Sequence, residues 1–168
     1  MSYQWTFIFL LNAAVVVFSP GAPAKQETGL IIGRWECDPY SAKGSESNGT
    51  AMDHPTFYAN GKYDEVSSLV IKAKDLSEIS LRYGLKGTWK YVGKFIFIKF
   101  DQSTMLYSSN QRYSLESGQR ALNDQLRKKN WAKEEVLVLK PGRLIVKTVD
   151  SMHADANRTM RCARKGDA

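Results

Sequence analysis

Cys37 and Cys162 carry the plainest chemistry in this chain. Two thiols, one near each end, can oxidise to a single bridge or sit buried as small apolar groups. Strand alternation gives them a shared geometry. If Gly29 to Cys37 is extended, then Ile31, Gly33, Trp35 and Cys37 lie on one face, because successive side chains alternate. On a last strand from Arg158 to Arg164, the residues Met160, Cys162 and Arg164 also share a face. Antiparallel pairing of Cys37 with Cys162 sets Trp35 opposite Arg164. One register then supplies both a disulfide and a cation over an indole ring. Closing a loop of roughly a hundred residues stabilises a fold by about 4 to 5 kcal/mol in the chain-entropy model.

The other reactive residue types do not combine. His54 lies beside Asp53, His153 is distant, and with the two cysteines they give no metal-ligand spacing. No glycine-rich phosphate loop, no motif-spaced pair of carboxylates and no recognisable nucleophile set is present. The expectation is therefore a protein that binds and does not catalyse, with no catalytic residue, no metal and no cofactor.

Binding chemistry is easier to find. From Ile79 to Tyr91 the odd positions are Ile79, Leu81, Tyr83, Leu85, Gly87, Trp89 and Tyr91, whereas the even ones include Ser80, Arg82, Lys86, Thr88 and Lys90. This is the clearest period-two stretch in the chain. Together with Tyr63, the residues Leu81, Tyr83, Leu85, Trp89 and Tyr91 would make an aromatic wall for a small apolar or amphipathic ligand, with phenol hydroxyls to orient it. The same side chains can instead fill a small barrel completely. The formal net charge is +7, most of it between Arg112 and Lys165, with Arg127, Lys128 and Lys129 in one cluster. That favours an acidic partner: an acidic protein above all, or a polyanionic glycan or lipid headgroup.

Met1 to Ala24 hold no charged side chain, and an apolar run from Phe7 to Phe18 precedes Ala22-Pro23-Ala24. This is the pattern of a secretory signal peptide cleaved after Ala24. The run is about a dozen residues where a spanning helix needs about 20, so no stable membrane span is expected. Export to the periplasm or the medium follows, and nucleic acid is excluded as a partner. Residues 25–168 then form one domain. Asp38 to Pro55 is rich in Ser, Gly, Asn and Asp and reads as a long loop. Asn60-Gly61 marks a hairpin, Lys74-Asp75 a turn, Val92-Gly93 another, and Pro141-Gly142 a third. Leu115, Leu122 and Leu126, with the stripe Glu116, Arg120, Asp124 and Lys128, predict a helix over 117–129. It is expected outside the sheet, covering Phe95 and Phe97. The fold class is all-β: a closed or nearly closed up-and-down antiparallel barrel of about eight strands with one outer α-helix, a two-sheet sandwich being the main alternative.

Gly33-Arg34-Trp35 on the first strand, the hairpin meander, one late helix and a terminal strand bearing Arg164 resemble the small exported lipocalin-like barrels of the calycin group. The resemblance implies that Trp35 sits at the closed end of the barrel, with Gly33 beside it and Arg164 across its ring. It also implies a ligand in the barrel mouth. The alternative is a protein-binding module with a filled barrel: a secreted inhibitor, an immunity protein or an envelope-assembly protein, gripping its target through a basic surface.

Overall fold

The structure is a computed structural model and describes residues 23–43, 47–73, 78–152 and 158–166. The apolar run, the Lys74-Asp75 turn and His153 lie outside these residues. In chain order the elements are α1 (Pro23–Ile31), β1 (Gly33–Cys37), β2 (Tyr40–Lys43), β3 (Ser47–Phe57), β4 (Lys62–Ala73), β5 (Ile79–Val92), β6 (Phe95–Ser108), α2 (Leu115–Lys128), β7 (Trp131–Lys140), β8 (Arg143–Asp150) and β9 (Thr159–Arg164). A single turn of 3-10 helix, Gln111–Tyr113, precedes α2. Eight antiparallel strands close a barrel as β1-β9-β8-β7-β6-β5-β4-β3, with β3 returning to β1 and β2 lying outside the ring against β3.

The seam between the first and last strands has the register that the alternation predicts. Trp35 is opposite Arg164, and Cys37 is opposite and bonded to Cys162. The Arg164 guanidinium carbon lies 4.9 Å from the Trp35 ring centroid, and a Cβ built on Gly33 would come within 3.2 Å of the same guanidinium. Gly33 also has φ of 135°, a backbone state that L side chains rarely adopt. Upstream of it the chain is helical, so Gly29 to Ile31 are not extended as the alternation suggested. The end of α1 is fixed by its own orphan carbonyls. The Trp35 indole donates to the Ile31 carbonyl at 2.8 Å, and Arg164 donates to that of Leu30.

The segment read as a long loop is instead β2 and most of β3. Beneath its polar composition it alternates: Ala51, Asp53, Pro55 and Phe57 are buried while the residues between them are not. Pro55 falls between the pairings of β3 with β2, at Asn48 to Ala51, and with β1, at Thr56 and Phe57. Its missing N–H therefore costs no bond on that edge.

Curvature comes from two bulges that leave Asp101 and Leu106 of β6 unpaired with β5. At Gly87, beside one of them, an added Cβ would meet the Lys99 carbonyl at 1.9 Å, so only glycine permits this approach. The two-residue turn after β5 puts Trp89 opposite Ile98 and Tyr91 opposite Ile96. Phe95 and Phe97 face outward, but the helix does not cover them. Lysine ammoniums do, with Lys133 lying 4.1 Å from the Phe95 centroid and Lys90 5.6 Å from that of Phe97.

The predicted helix is α2. Its N-terminal capping residue Ser114 accepts from the Ser117 N–H, and its basic last turn suits the helix C-terminus. It packs on the far half of β6, where β7 no longer pairs. There the Gln119 side chain accepts from the Met105 N–H at 2.8 Å and donates to the Ser103 carbonyl at 2.9 Å. One side-chain amide thus stands in for a neighbouring strand. Leu122 enters the core, and Leu115 stays exposed.

Candidate functional site

Two places in the barrel hold chemistry, and they are stacked along its axis. The first is a polar cluster inside the wall. Alternation carries Asp53 of β3, Glu65 and Ser67 of β4 and Glu134 of β7 to the interior face, and Arg158, just before β9, reaches in beside them. The Tyr40 hydroxyl donates to Asp53 at 2.9 Å, and Ser67 is 2.8 Å from both the Asp53 and Glu65 carboxylates. Tyr63 donates to Glu65. The Arg158 guanidinium donates to the Tyr40 hydroxyl at 2.7 Å and to Asp53 at 3.3 Å, and stacks 4.2 Å from the Tyr40 ring centroid. One cation therefore faces three carboxyl groups.

The electrostatic consequence is direct. Burial, aided by the nearby Asp53 charge and opposed by the bonds from Tyr63 and Ser67, lifts the Glu65 carboxyl to about 7. Burial lifts Glu134 to about 7 as well, against the pull of Arg158. Arg158 itself is raised: desolvation acts downward, but Tyr40, Asp53, Glu134 and Glu65 outweigh it. The phenols of Tyr63 and Tyr83 are held protonated, first by burial and then by the acids around them.

A carboxyl raised in the folded state favours folding most when it is protonated in both states. Its contribution is fully present below about 4.5 and is lost as pH rises through about 7. For one such group the loss is on the order of 3 kcal/mol. Urea midpoints are expected to fall between pH 5 and pH 8, and Glu134→Gln to flatten that fall. A midpoint that rises over the same interval would remove the buried acids from this account.

The space beside this cluster, bounded by Asp53, Glu65, Glu134 and the disulfide, is about 10 Å³. That is the room of roughly one water molecule. The middle of the barrel is otherwise packed by rings. Phe57 stands edge-on to Trp89 at 5.1 Å and tilted to Tyr63 at 5.2 Å, and Tyr63 meets Phe100 at 6.0 Å.

The second place is a cleft of about 300 Å³ at the α2 end. Leu69 and Ile71 of β4, Leu81 and Tyr83 of β5 and Met105 of β6 form its floor, and Gly118, Ala121, Leu122 and Gln125 of α2 form its roof. Tyr113 also borders it, and the lining is mostly apolar, with Tyr83, Tyr113 and Gln125 its polar members.

The residues expected to form one aromatic wall share the interior face but not one site. Leu81 and Tyr83 line the cleft. Tyr63, Leu85 and Trp89 belong to the packed core, and Tyr91 lies at the opposite end, its hydroxyl 3.4 Å from Glu27 of α1. The basic cluster is likewise divided: Arg127 is paired with Asp124, and Lys129 with Asp150 and the Trp131 ring. His54 is on β3, half-buried on its outward face. Buried Asp53 and Glu134 and half-buried Glu65 and Arg158 lie outside the expected site. A signal existed at Asn60-Gly61, since counting by twos from that hairpin places Asp53 and Glu65 on the same face as Phe57 and Tyr63.

Among the described residues no helix is long and apolar enough to cross a membrane. No protein-family model matches the chain, and no curated protein is significantly similar to it in sequence.

Proposed function

We propose that this is an exported, lipocalin-like binding protein that holds a small apolar or amphipathic molecule in the cleft between α2 and the barrel mouth. The observation that carries the reading is the cleft itself: about 300 Å³, roofed by a helix and lined by Leu69, Ile71, Leu81, Met105 and Leu122. That volume is at the lower end of the range for small-molecule sites, whose linings are mostly apolar with a few polar groups. Gln125 of α2 supplies such a group at the roof. The disulfide supports an oxidising compartment, and the Trp35-Arg164 stack supports the lipocalin-like comparison.

The test is native mass spectrometry of the protein from its own compartment, with organic extraction of whatever accompanies it. A stoichiometric apolar molecule is the expected result. Ala121→Trp, at an exposed roof position, should fill the cleft while sparing the core and weaken the extracted ligand by roughly tenfold or more. Unchanged affinity in that variant would move the ligand elsewhere.

A protein-contact reading draws on a different observation, the packed middle of the barrel. A bare chain, or one retained by an acidic protein, would favour it.

A further inference from the structure

The outer wall of β5, β6 and β7 alternates lysines with aromatic rings, and neither the cleft nor the interior cluster uses them. A groove of about 410 Å³ runs across it, lined by Lys90 and Thr88 of β5, Phe97 and Lys99 of β6 and Trp131 of β7. Trp131 is 41% exposed. Register puts Lys133 opposite Phe97 and Lys90 opposite Phe97 on its other side. The cations are held in place by the rings: the Lys133 ammonium is 5.5 Å from the Phe97 centroid, and that of Lys129 is 4.7 Å from Trp131. Nearby acids are already engaged, Glu135 with Lys94, Asp101 with Lys99 and Asp150 with Lys129. Among the described residues Lys90 and Lys133 are in no ion pair.

We infer that this groove binds an anionic oligosaccharide, with a sugar ring laid on the exposed Trp131 and carboxylates taken by Lys90 and Lys133. Three features favour that occupant. An exposed indole face matches the apolar C–H face of a pyranose. Lys90 and Lys133 flank Phe97 from β5 and from β7, so anions repeated along one chain can reach both ammonium groups. The site is also a groove in a convex wall, a shape that admits a chain and not a flat bilayer. The net charge of +7 supplies the long-range attraction.

The experiment is calorimetric titration of the mature protein with an octagalacturonate, using neutral malto-octaose and phosphatidylglycerol vesicles as comparisons. The uronate is expected to bind, and to bind roughly tenfold more weakly when salt rises from about 20 to about 200 mM. Lys90→Gln with Lys133→Gln should weaken it by roughly tenfold and Trp131→Ala by roughly fivefold, with near-ultraviolet circular dichroism unchanged in the lysine pair. The inference is overturned if the uronate fails to bind, if malto-octaose or the vesicles bind as well or better, or if the lysine pair leaves its affinity unaltered.

Discussion

Arg158→Met is expected to lower the unfolding free energy at pH 8 by about 3 to 5 kcal/mol, the range for removing one partner of a buried ion pair. The Arg158 side chain is 14% exposed and that of Asp53 is 4% exposed, so neither is well placed to recover solvent when the other is lost. The substitution also withdraws the cation that Glu65 and Glu134 face. Methionine keeps the apolar stem and most of the packing on Tyr40, which isolates the charge. The cost should shrink at pH 5, where Glu65 and Glu134 are protonated. Urea unfolding of both proteins at the two pH values measures this. Equal losses at pH 5 and pH 8 would mean that Arg158 matters for its packing and not for the acids. Adding Asp53→Asn to the variant should return part of the loss at pH 8.

Opening the Cys37-Cys162 bridge is the other large effect. The cysteines are 125 residues apart, and the chain-entropy model gives about 5 kcal/mol for a loop of that size. The bridge ties β1 to β9, the strands at which the barrel closes, so both the loop and the closure depend on it. Cys37→Ser with Cys162→Ser should therefore unfold at a much lower guanidinium concentration than the oxidised protein. The wild-type chain under reductant should match the variant. If all three share one midpoint, the short β1-β9 ladder and the Arg164-Trp35 stack close the barrel unaided.

Much of the fold was legible because the side-chain period of a strand is two. The distance from Trp35 to Cys37 equals that from Cys162 to Arg164, so one pairing fixed the other. The hairpins at Asn60-Gly61 and Pro141-Gly142 followed from turn chemistry. Composition misled where alternation would have served: Ser, Asn and Gly between Asp38 and Pro55 concealed the buried series Ala51, Asp53, Pro55 and Phe57. The site was less legible for a different reason. Facing inward does not say at which height along the barrel a side chain sits, and that height separates Tyr83 in the cleft from Trp89 in the core. Nor does a local pattern reveal that Arg158 will meet Asp53, more than a hundred residues away, because that contact exists only once the barrel has closed.

Gln119 has a consequence for how the molecule behaves in company. A strand with one unsatisfied edge is a template on which a second chain can add its own strand, and that is how sheet proteins begin to aggregate. On the far half of β6 the Met105 N–H and Ser103 carbonyl form such an edge, and one glutamine amide occupies both. The guard is carried by α2, the roof of the cleft. Lifting that helix far enough to widen the cleft would break both bonds together and uncover the edge, so any such opening carries the hazard of self-association.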